Sequence, residues 1–242
     1  VATADAGMAT ASASAALALP RGAVALALLS LGAGGVLSLG LEVTFVHQLS
    51  IVAGNSVYAF GLMLSTFLLG LALGGEGARR LVLQQPGARL VWLGGSLAGM
   101  ATTVALSAWA WNAVPDYFGS FAGYPAATTF VSREALRGLV CALIMMPSAV
   151  FIGASYAIAM DVITTRQDVG RWRRLGLAAG LNTLGNIAGV LLFGFWALPH
   201  LGGMGSNLAI AGVALALSAI VMAAAEQGSL RLRALPVLVA ML

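Results

Sequence analysis

Apolar residues fill most of the chain in runs of about twenty, separated by a few polar or turn-forming positions, the length and spacing of helices that cross a bilayer. The first run, about 23–49, ends in a polar cluster of Glu42, His47 and Gln48 and turns at Gly54 and Asn55. The second, about 56–74, stops at Glu76, Arg79 and Arg80. Pro86 and Gly87 break the pattern before a third run at about 88–111. Residues 112–131 carry Asp116 as well as Tyr117, Phe118, Phe121, Tyr124 and Phe130, which reads as a loop in the interfacial aromatic belt.

Ser132, Arg133 and Glu134 open a fourth run that continues to about residue 160. At about 1.5 Å per residue it spans about 40 Å, so tilt is expected, with a kink where Pro147 removes a helix hydrogen bond. A fifth run at about 175–198 and a sixth at about 207–225 flank a glycine loop at 199–206. Residues 234–242 begin another apolar segment too short to cross. The pattern predicts an all-α polytopic membrane protein: a flexible cytoplasmic leader at 1–20, a six-helix membrane domain at 21–233 and a partial seventh segment at 234–242.

Composition agrees and excludes alternatives. With 60% hydrophobic residues, 8% charged residues and a mean hydropathy of +0.96, a water-soluble fold would expose more apolar surface than it could bury. The basic residues are all arginine, placed singly or in short loops without interleaved aromatics, so the net charge of +4 is no nucleic-acid footprint. Their placement sets an orientation instead. Arg21, Arg79, Arg80, Arg89, Arg166, Arg171, Arg173, Arg174, Arg231 and Arg233 fall on one side of the six-span plan, and only Arg133 and Arg137 on the other. By the positive-inside rule the N-terminus is cytoplasmic. Cys141 stands alone in an apolar run and reads as a packing residue.

Several glycines repeat at a spacing of four: Gly70 and Gly74, Gly95 and Gly99, Gly185 and Gly189. Such small faces let helix backbones approach closely where lipid supplies no hydrophobic drive for pairing, so all six are expected at helix contacts.

Two blocks carry a family resemblance. The first is Glu42 followed by GNSVYAF at 54–60 and FLLGLALGG at 67–75; the second is PSAVFIGA at 147–154 with LNTLGNIAGVLLFGFWAL at 181–198, Pro199 and Gly202. Together they resemble the membrane part of bacterial fused spermidine synthase-like proteins, which is major-facilitator-like. Where that family often has an arginine after the first-span glutamate region, this chain has His47 and Gln48. The resemblance implies a bacterial inner-membrane location, a major-facilitator-like half of three plus three helices, and a polyamine or other small cation as ligand.

The chemistry in the sequence is sparse. Ionisable and amide groups at membrane depth are functional candidates by default, which singles out Glu42, His47, Asn182 and Asn186 as a possible intramembrane polar site. Glu42 would serve as a proton-coupled group or as an anchor for a cation. The aminopropyl-transferring half that the resemblance implies needs a strand, a glycine-rich loop and acidic residues, and no stretch of this sequence supplies them. No catalytic or cofactor-binding set is expected, nor a metal set, since His47 and His200 lack neighbouring ligands. Three readings stay open: a transport-like domain that binds a small cation, a structural subunit of a larger membrane assembly, and the membrane anchor of a polyamine synthase. The expected partners are the bilayer and other membrane subunits or further copies of the chain.

Overall fold

The computed structural model describes residues 22–53, 57–120, 129–165 and 170–226, and all its regular elements among these are helical. The expectations for the leader, for Gly54 and Asn55, for Phe121, Tyr124 and Arg166, and for the segment at 234–242 fall outside them. The helices are α1 (Ala23–Ala53), α2 (Val57–Gln84), α3 (Arg89–Ser120), α4 (Phe130–Thr164), α5 (Arg171–Leu192) and α6 (Leu198–Glu226). A short 3-10 turn, Pro86–Ala88, leads into α3. The proline there has no N–H to leave unpaired at a helix start. The Thr129 side chain accepts from the Ser132 N–H and caps α4.

Among the described residues, five helical runs are long and apolar enough to cross a membrane. The boundaries correct the expected plan in three places. α2 does not stop at Glu76 but continues to Gln84, because Glu76 accepts from Arg79 and Arg80 one turn on and keeps the charges in helical register. The presumed aromatic loop begins as helix, since α3 extends to Ser120.

The third correction concerns 199–206, expected as a loop. The helix instead passes from α5 through a π turn, Phe193–Ala197, into α6, giving one run from Arg171 to Ala225. At about 1.5 Å per residue, its 55 residues would extend about 80 Å if straight, far beyond the roughly 30 Å of bilayer hydrocarbon. It is broken by one residue. Gly202 has φ 68° and ψ −178°, a conformation essentially reserved for glycine.

The contacts show that the chain doubles back there. α5 runs alongside α1 in the same direction: Gly185 lies against Gly32, Gly189 against Val36, and Gly40 against Phe193. α3 runs the same way as α1, because Leu31 shares an apolar layer with Leu90, Leu93 and Leu97 while Phe45 packs on Trp111 at a ring distance of 6.3 Å. α6 runs against α3: the Ser218 hydroxyl donates to the Gly94 carbonyl at 2.7 Å, Met222 covers Gly94, and Asn112 reaches Met204.

α2 and α4 also lie side by side in one direction, and their contact mirrors that of α1 with α5. A Cβ at Gly70 or Gly74 would run into the backbone at Met146 and Val150; a Cβ at Gly185 or Gly189 would run into the backbone at Gly32 and Val36. In both pairs, two glycines four apart meet two residues four apart on the partner helix. The core divides into two apolar layers. One gathers Leu37, Leu41, Phe45, Phe67, Met145 and Ile210 toward the Leu49 end of α1; the other gathers Ala23, Ala27, Leu93, Val162 and Val221 at its Ala23 end.

Candidate functional site: a cavity between the two layers

Hydroxyl side chains inside an apolar helix bundle need partners, and most here use their own helix. Thr44 donates to the Gly40 carbonyl, Ser96 to Leu93, Thr102 to Ala98, Ser107 to Val104 and Ser155 to Ile152, all between 2.8 and 3.0 Å. Ser30, Ser148 and Ser206 do not follow the pattern: each Oγ is buried with no hydrogen-bond partner among the described residues, and of the three only Ser30, 5% exposed, lines the cavity described next.

Ser30 lines a cavity of about 340 Å³ at the junction of the two apolar layers, with walls from α1, α2, α3, α4 and α5. On α1 the lining follows a stripe four residues apart, Ser30, Gly34 and Ser38. Asn182 and Asn186, one turn apart, face it from α5, and Ser155 and Tyr156 from α4. Leu31, Leu71, Met100 and Ile152 supply apolar wall.

Glycine contacts explain why these groups converge. A Cβ at Gly35 would meet the Asn182 carbonyl at 2.5 Å and the Asn186 Oδ1 at 3.0 Å, so α1 and α5 approach at the level of both asparagines. Gly153, itself in the lining, lies against the Leu71 backbone and holds α4 to α2. Gly34 and Gly75 meet nothing within 4 Å, which leaves room on the cavity side.

The four residues expected to form a polar site separate. Asn182 and Asn186 line the cavity. Glu42 does not; it sits one turn past Ser38 on α1 and is half-buried. His47 is exposed, whereas its neighbour Gln48 is buried and accepts from the Asn207 side chain at 3.3 Å, joining α1 to α6. Gly70, Gly74, Gly99, Gly185 and Gly189 all sit at close contacts, Gly99 beneath the Phe151 ring. Gly95 meets nothing within 4 Å; its neighbour Gly94 is the residue turned to a partner helix.

Sequence reading missed Ser30, Ser38, Ser155, Tyr156 and Asn207. The one available signal was the stripe of Ser30, Gly34 and Ser38 in the middle of the first apolar run. Outside the cavity, Arg89 Nε donates to Asp161 Oδ2 at 2.5 Å and ties the start of α3 to the end of α4. Compared with protein-family models, curated proteins and solved structures, the chain matches none.

Proposed function

We propose that the chain is a transport-type membrane domain without catalysis of its own, in which the cavity between the apolar layers holds the solute. The observation that carries this reading is the cavity itself: hydroxyl and carboxamide groups from α1, α4 and α5 gathered at membrane depth, where polar groups are costly unless used. The mirrored contacts of α1 with α5 and of α2 with α4 support a plan of two inverted three-helix repeats, α1 to α3 and α4 to α6. The reversal at Gly202 supports six crossings. On this plan the domain corresponds to one major-facilitator-like half in a bacterial inner membrane, with the Ala23 end cytoplasmic.

Orientation is tested by single cysteines in a Cys141→Ala background. Val131→Cys should react with an impermeant maleimide added to intact cells, and Gly170→Cys only after permeabilisation. The opposite pattern would invert the plan.

The functional test uses purified protein in vesicles loaded with a panel of small solutes, uncharged and cationic. Wild type should accelerate the flux of at least one of them. Asn186→Leu puts an apolar side chain at the cavity wall and should abolish that flux while the protein remains monodisperse. A structural-subunit reading is favoured by Gly176 and Gly180, four apart on α5 and open to a neighbour. Absence of flux for the whole panel, with stoichiometric copurification of another subunit, would establish that reading instead.

A further inference from the structure

We infer that the cavity takes a small uncharged solute bearing both hydrogen-bond donors and acceptors, of the polyol or small-amide class, rather than the cation implied by the family resemblance. The inference deepens the transport reading and rests on it for the location of the site, although binding is separable from flux.

The lining decides the class. Among the described residues, the lining offers the hydroxyls of Ser30, Ser38 and Tyr156, the Ser155 oxygen as an acceptor since its proton goes to the Ile152 carbonyl, and the carboxamides of Asn182 and Asn186, with no Asp, Glu, Lys, Arg or His. A carboxamide offers two donors and an oxygen acceptor, and a hydroxyl offers both roles, so the set satisfies a partner that donates and accepts alternately. A fixed charge placed there would give up its hydration without a counter-charge in the wall, the least favourable arrangement at membrane depth.

Size narrows the class further. At about 340 Å³ the space corresponds to about ten waters, near the lower end of small-molecule sites, and Leu31, Leu71, Met100 and Ile152 give it an apolar side suited to a carbon skeleton. The Ser30 Oγ, buried and without a partner, is the group that a bound solute would satisfy.

Glu42 is the competing anchor. It stands one turn beyond Ser38 on α1 and outside the lining, so a cation bound through it would sit between the cavity and the Leu49 end of the helix. The two sites give different experimental signatures.

The test uses the full chain in Cys141→Ala background with Ser30→Cys, reacted with methyl methanethiosulfonate, which is neutral, or with its trimethylammonium-ethyl analogue. The neutral reagent should modify Ser30→Cys much faster than the cationic one. Glycerol or acetamide should slow the reaction several-fold, putrescine should not, and adding Glu42→Gln should leave these rates unchanged. Ser38→Cys gives the same readout if Ser30→Cys does not fold. Protection by putrescine that disappears with Glu42→Gln would overturn the proposal. So would a folded protein in which neither cysteine reacts, or in which neither glycerol nor acetamide protects. Protection by glycerol or acetamide without flux of any solute of the panel in vesicles would leave this inference standing and remove the transport reading. Flux of a cation without protection by any neutral solute would do the reverse.

Discussion

Gly74→Ala should melt several degrees below wild type in detergent. The added Cβ would lie on top of the Val150 carbonyl and within 2.9 Å of the Ala154 nitrogen, and both are backbone atoms that cannot swing aside as a side chain can. Overpacking of this kind costs about 1–3 kcal/mol. Gly77→Ala, one turn on and open on its outer side, is the control: it should keep or slightly raise the melting temperature, since glycine in a helix interior is the poorer former. Gly189→Ala should fall by an amount comparable to Gly74→Ala, because its Cβ would meet the Val36 carbonyl in the mirrored contact. A loss at Gly74 with none at Gly189 would show that the two helix pairs are not equivalent.

Gly202→Ala should be as damaging for a different reason. Nothing lies within 4 Å of a Cβ built there, so sterics against neighbours play no part. The cost is in the backbone, since φ 68° with ψ −178° excludes residues that carry a Cβ at about 1–3 kcal/mol. The chain reverses at this point, and without the reversal α6 cannot bring Ser218 and Met222 to Gly94. We expect less folded protein on size-exclusion chromatography and a lower melting temperature, with Gly212→Ala, which has helical backbone and open space, as the neutral comparison. Wild-type behaviour of Gly202→Ala would mean that the run does not turn at this residue.

How far the fold was legible follows from what each signal reports. Hydropathy located the apolar segments well because bilayer thickness imposes their length. It misplaced helix ends, because Arg79 and Arg80 can remain helical by pairing with Glu76 while still ending the apolar segment. Glycine spacing found the contacts at Gly70, Gly74, Gly99, Gly185 and Gly189, yet it favoured Gly95 over Gly94, since spacing alone does not say toward which neighbour a helix face is turned. A loop at 199–206 was read from its glycines and proline, whereas a single glycine conformation makes the reversal and leaves its neighbours helical.

The site was less legible. Asn182 and Asn186 were visible as amides in an apolar helix, but serines are common in such helices and usually bond to their own backbone, as Ser96 and Ser107 do. Only the three-dimensional structure distinguishes Ser30, which does not. Glu42 drew attention by its charge, and its position along α1, one turn past Ser38, places it beyond the cavity, whose depth sequence does not fix. Gln48 and Asn207 are far apart in the chain, and their pairing depends on the antiparallel return of α6.

The uncharged lining of the cavity also has an electrical consequence for the proposed solute. Carrying one elementary charge through a potential of 100 mV involves about 2.3 kcal/mol of electrical work. A neutral solute bound at Ser30, Asn182 and Asn186, as proposed, would involve none, and these wall groups carry no charge of their own. On the proposed reading, an imposed membrane potential has no direct purchase on a neutral solute in this cavity, and its flux into vesicles should not change with voltage.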